Sequence, residues 1–446
     1  MPVKFLFLLF STINLLAAFA GCAPKSGTGN PEYPIYTSYR DIPGVTEQEI
    51  DAIEALRKNR NSFVYGMEQS TECFLREDGS SGGYAALLCE YFSRLFGIPF
   101  VPELYEWGEL LEGLADHRVD FSGDLTPTPE RLTSYRMTGP TAVRMVKSMR
   151  IAGSKSLSEI AELRPPRYIF LEGTTTYTLV TDLLEGDFEV ILADDYDTVY
   201  RMLKSGNADA FFDEGPFEAA FDDYGDVAAN NFFPPIYSPV SLCTQNPALE
   251  PVISVVQKAL ENGALRYFGE LYNQGYRDYL KHKFWMGLTA EERRYIQNRI
   301  ASGGTVPVGL EYDNYPMCFF NPRDKEFQGI TVDVLREIED LSGLRFAMLR
   351  PGLIHWTEML DMLDRGEIAL VSELIPTPDR EGRYLWPKIS YLTDHYALLS
   401  RSDYKDITVN EILYSKIGLV QDTGYTILFH EWFPNHAYTV MYSDNL

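Results

Sequence analysis

Apolar positions change their spacing along this chain in a repeating order. They run together over 63–67, recur at helical intervals through Leu87, Leu88, Tyr91, Phe92 and Leu95, recur again over 110–114, and alternate with polar residues over 119–122. Short unbroken apolar runs read as strands, and recurrence at three- and four-residue intervals reads as amphipathic helix. The same succession returns over 306–310, through Val332, Leu335, Ile338 and Leu341, over 359–363 and over 368–371. Strand following helix following strand predicts a parallel α/β sheet in each stretch. Before each succession stands a polar helix start, Gly44-Val45-Thr46-Glu47-Gln48-Glu49 and Gly287-Leu288-Thr289-Ala290-Glu291-Glu292. Thr as N-cap with Glu three residues on is the capping-box pattern, so each block is expected to open with a helix.

The second half repeats the first in detail. Leu125-Thr126-Pro127-Thr128-Pro129-Glu130-Arg131 returns as Leu374-Ile375-Pro376-Thr377-Pro378-Asp379-Arg380. Thr128 and Thr377 stand 249 positions apart (377 minus 128), as do Trp107 and Trp356, whereas Gly66 and Gly309, or Glu68 and Glu311, stand 243 apart. Loop insertions account for the change of offset. A period this long means tandem domains, since each unit can bury its own core. Locally, Thr-Pro-acid-Arg predicts a capped helix start with Pro in the first turn. It sets a guanidinium beside unpaired backbone N–H groups, a combination suited to a carboxylate.

Composition narrows the function. The 64 acidic residues against 39 basic ones leave a formal net charge of −25, which argues against nucleic-acid binding and gives no support for docking on anionic lipid. Five cysteines, without C-x-x-C or Cys/His spacing, suggest neither a disulfide scaffold nor a metal site, and no cofactor is implied. Cys73 and Cys318, 245 positions apart, are expected to share a packing role. Residues 1–22 read as an export segment ending in Ala20-Gly21-Cys22. That ending resembles a bacterial lipobox, which would make Cys22 a lipidation site followed by a polar tether.

Together the Gly-ended helix, the Trp-led helix and L-x-x-T-P-x-R resemble the bacterial extracellular solute-binding proteins of family 3. The resemblance implies a type II periplasmic-binding fold, α/β, with two lobes joined by crossover strands and closing on a ligand. It covers roughly 60–285, with a second lobe over about 147–238, and again 303–446. Residues 23–59 would be tether and short helix, and 286–302 a linker helix. Carried over, Arg131 matches the arginine for a ligand carboxylate, Thr126 its helper, and Trp107 an aromatic wall, with Tyr65 a further wall. Thr174 and Thr175, after Gly173, match a helix N-terminus that meets the same carboxylate, and Asp213 matches the acid for an ammonium group. Trp356, Thr377 and Arg380 are the second-copy candidates.

Departures from the family pattern separate the copies. Ile375 stands where the first copy has Thr126, and Gln421-Asp422-Thr423 replaces Gly173-Thr174-Thr175, so the second copy is expected to bind something different or nothing. Matched against the first, it stops inside its second lobe and is expected to behave as a fragment. Tandem copies resemble the sensory regions of bacterial receptor histidine kinases. The expectation is therefore extracytoplasmic, membrane-anchored binding of an amino-acid-like solute, with a kinase output domain as partner. A lipoprotein serving an ABC permease is the alternative. An enzyme on this fold, a dehydratase or cell-wall lyase, is the alternative from another class; H-E-x-x-H and the P-loop are missing from the sequence.

Overall fold

The computed structural model describes residues 33–349, 356–388, 390, 392, 396–420 and 423–442. The expected export segment with its Cys22, and Gln421 and Asp422, lie outside the described residues. Two compact units divide the chain, Met1–His282 and Lys283–Leu446.

A nine-stranded sheet organises the first unit. Its main path runs Phe100–Leu104, Phe63–Met67, Phe121–Leu125, Tyr237–Thr244, Arg136–Ile151, Ala210–Glu214, Arg167–Leu171, Glu189–Ala193, with Val227–Asn231 added against Arg136–Ile151. The first three strands are mutually parallel, as are Ala210–Glu214, Arg167–Leu171 and Glu189–Ala193. Arg136–Ile151 and Tyr237–Thr244 run antiparallel to each other and to their outer neighbours, so the sheet is mixed where the apolar pattern predicted it parallel. These two strands are the crossovers between a first lobe and a second. Phe63, Phe92, Phe121 and Phe268 lie in the core of the first lobe, and Ile169, Val199 and Phe211 in that of the second.

Local structure follows the sequence signals closely. Helix Glu47–Asn59 begins at a Thr46 capping box, and helix Ala290–Ala301 at one from Thr289. Helix Tyr84–Phe96 starts at Gly83, whose φ of 88° places it in the left-handed region. A Cβ there would lie 2.4 Å from the Glu72 carbonyl oxygen, so only glycine fits. Gly329, φ 118°, makes the same approach to the Met317 carbonyl oxygen at 2.5 Å before helix Ile330–Ser342. Strand boundaries moved. The strand expected over 119–122 spans Phe121–Leu125, because Val119 is still bonded to the Gly113 carbonyl and Asp120 turns its carboxylate onto the Val64 N–H.

The second unit holds a parallel sheet of Phe346–Met348, Val306–Gly309 and Leu370–Val371, an antiparallel sheet of Asp313–Asn314, Cys318–Asn321 and Glu326–Gln328, and the parallel pair Ile417–Val420 with Thr439–Tyr442. Cys73 and Cys318 are both buried free thiols in their own units' cores. Among the described residues, no helix is long and apolar enough to cross a membrane.

Candidate functional site

In the first unit, strand ends and helix starts from both lobes converge on one cleft. Glu68, Trp107, Asp124, Thr126 and Arg131 come from the first lobe, and Thr174, Thr175, Tyr196, Asp213, Glu214 and Phe217 from the second. Solvent has about 20 Å³ inside it, room for about one water molecule. A larger solute therefore enters only as the lobes part.

Arg131 opens the four-residue helix Arg131–Ser134, two residues after the Pro129 start that the Thr-Pro pattern predicts, and the Thr128 hydroxyl accepts the Arg131 N–H at 3.2 Å. Its guanidinium donates to the Thr126 carbonyl at 3.2 Å and, across the cleft, to the Gly173 carbonyl at 3.4 Å. The guanidinium carbon lies 5.6 Å from the centre of the Trp107 ring, close enough for a cation–π contact. Burial lowers the pKa of Arg131 from its ordinary value, which is the cost of holding a cation in a cleft without a carboxylate beside it. It makes no ion pair with a described carboxylate.

Asp213 faces this group from the end of strand Ala210–Glu214 and is 3% exposed. Its carboxylate accepts the Glu214 N–H at 2.8 Å and the Tyr196 hydroxyl at 3.1 Å. Burial, and then the Glu214 charge, push its pKa up to about 7. Glu68 lies at the C-terminal end of strand Phe63–Met67; its N–H is bonded to Asp124 at 2.8 Å, but its Oε1 is buried without a partner. Burial, with Asp124 adding to it, raises the Glu68 pKa well above the carboxylate range. The indole N–H of Trp107 is likewise buried and unpartnered. A donor and an acceptor left unsatisfied on one small cleft favour a polar occupant that supplies both.

The structure thus brings Trp107, Thr126, Arg131, Thr174, Thr175 and Asp213 together. Tyr65 is not among them. It is 1% exposed inside the first-lobe core, its hydroxyl pressed against Gly123, because strand Phe63–Met67 is covered on both faces and its middle side chain points into packing rather than the cleft. Sequence reasoning missed Glu68, Glu72, Asp124, Arg144 and Glu214. Two of these carried a signal, since Glu68 and Glu311 share the 243 offset and Asp124 and Glu373 the 249 offset.

The second unit repeats part of this geometry. Arg380 is buried and donates to the Ile375 carbonyl at 3.1 Å, five residues back, as Arg131 does to Thr126. Trp356 Nε1 and Thr377 Oγ1 are buried without partners. Glu311 and Glu373 replace Glu68 and Asp124, and the Asn314 amide donates to both, at 2.7 Å each. Burial, and then the hydrogen bond with Glu311, push the Glu373 pKa up to about 8.

Residues 306–438 match the bacterial extracellular solute-binding proteins, family 3. The chain has an α/β fold, two-lobed in its first unit, of the periplasmic-binding-protein kind. Among solved structures, the chain is similar to an amino acid ABC transporter substrate-binding protein, AbpA of Streptococcus pneumoniae bound to L-arginine, at 17% identity over 51% of this chain and 98% of that one, TM-score 0.41. The B. pertussis BvgS periplasmic domain matches at 16% over 88% of this chain and 76% of its own, TM-score 0.36, and the Bordetella pertussis BvgS periplasmic VFT2 domain at 14% over 52% and 99%, TM-score 0.44. No curated protein matches the chain.

Proposed function

We propose that this chain is the sensory region of an extracytoplasmic receptor whose first unit closes two lobes on a small solute bearing a carboxylate and a cationic group, as an α-amino acid does. One observation carries this reading: Arg131 from one lobe and Asp213 from the other line a single cleft that also holds the unpartnered Glu68 Oε1 and Trp107 Nε1. Arg131 and Thr126 take the carboxylate, with Thr174 and Thr175 beside them, and Asp213 takes the cation. Glu68 suits an additional cationic group. Arg131 and Asp213 offer charge-assisted hydrogen bonds in a water-poor site, where such bonds are strongest.

Binding without turnover, membrane anchoring through Cys22 and coupling to an output domain belong to the same reading. The repeated motif in two units supports a tandem sensor over an importer lipoprotein. A thermal-shift screen of the full chain against L-amino acids and other small metabolites tests it. An amino acid at a hundredfold excess over Kd would add about 2.7 kcal/mol to the stability of the unit that binds it. If only solutes lacking a carboxylate shift the melt, or an amino acid is consumed, the reading fails.

A further inference from the structure

Arg144 stands midway along crossover strand Arg136–Ile151, opposite Ser238 on the returning crossover, and is 1% exposed. Its guanidinium makes a two-pronged pair with Glu72, at 2.9 and 2.7 Å, and reaches Asp124 at 2.6 Å, both in the first lobe. The remaining arm donates to Glu214 of the second lobe at 2.9 Å, and the guanidinium carbon sits 5.3 Å from the Phe217 ring centre in that lobe. Every acid is held from behind. Tyr272 donates to Glu72 at 2.8 Å, the Glu68 N–H to Asp124 at 2.8 Å, and the Ser238 hydroxyl to Glu214.

We propose that Arg144 is a resident cation that clasps the two lobes shut, so that closure of the first unit precedes solute entry and a solute binds by loosening or replacing the clasp. A satisfied buried ion network is rigid, and separating its members strands a charge in low dielectric. Parting the lobes must break either the Glu214 arm or the Glu72 and Asp124 arm. Asp124 and Glu214 also line the cleft, so a solute's cation competes with Arg144 for the same oxygens. The competition rests on the reading of this cleft as the solute site; the clasp itself does not.

The test is a pulsed spin-label distance in the full chain, between labels at Glu109→Cys in the first lobe and Glu185→Cys in the second, both exposed positions, without added solute. The parent should give one short, narrow distribution. Glu214→Gln, of equal shape but without the charge, should broaden it toward longer distances, and Arg144→Lys, which lacks the fork, should do the same in part. Long distances in the parent overturn the clasp, as does an unchanged distribution in Glu214→Gln with a cooperative melt. If Glu214→Gln does not fold, Arg144→Lys decides on the same terms. A failed amino-acid screen alongside a confirmed clasp would overturn the ligand reading alone.

Discussion

Arg131 and Asp213 are opposite charges held apart by a cleft too narrow for more than about one water molecule. Arg131→Ala should abolish solute binding while leaving the melt nearly unchanged, because the side chain bonds only carbonyls in the fold. Loss of one partner of a desolvated pair weakens binding by roughly 2 to 5 kcal/mol, and lysine restores only part of it. Asp213 gives a prediction of opposite kind. Its folded pKa, about 7, lies above that of an unfolded aspartate, so the folded state holds the proton more tightly. The contribution is complete below the unfolded value and is lost as pH rises through about 7, at up to about 1.4 kcal/mol per pH unit. Melts of the solute-free parent and of the non-titrating Asp213→Asn from pH 4 to 8 check this: the parent should lose stability relative to Asp213→Asn as pH rises toward about 7, and a constant difference would contradict it.

Gly83 illustrates what element boundaries cost. Gly83→Ala must both adopt a positive φ and push against the Glu72 carbonyl, the residue that anchors Arg144, whereas Gly79→Ala, φ 80°, meets nothing within 4 Å. Gly79→Ala should destabilise by about 1 kcal/mol, and Gly83→Ala by clearly more; equal denaturation midpoints would refute the packing account. Helices and their starts were legible because capping boxes and helical apolar spacing are local. The antiparallel crossovers were not, since nothing within Arg136–Ile151 records which strands will flank it. Nor was Arg144, whose partners Glu72, Asp124 and Glu214 lie 72, 20 and 70 positions away. Trp107, Thr126, Arg131 and Asp213 could be named beforehand because motif register supplied the long-range information, and Tyr65 was misplaced because register alone does not say which face of a strand meets the cleft.

Across the whole molecule, two units share a frame but differ in the groups that frame presents. The first sets Thr126 beside its arginine and Asp213 opposite, while the second offers Ile375 beside Arg380 and an Asn314-bridged pair of glutamates. On the proposed reading, the first unit binds the solute and the second acts as its coupler. The most direct measurement is isothermal titration of the full chain with the amino acid that gives the largest thermal shift, repeated on Arg131→Ala and Arg380→Ala. The predicted result is one equivalent bound, lost in Arg131→Ala and kept in Arg380→Ala; two equivalents, or loss only in Arg380→Ala, would contradict the assignment and move the working site to the second unit.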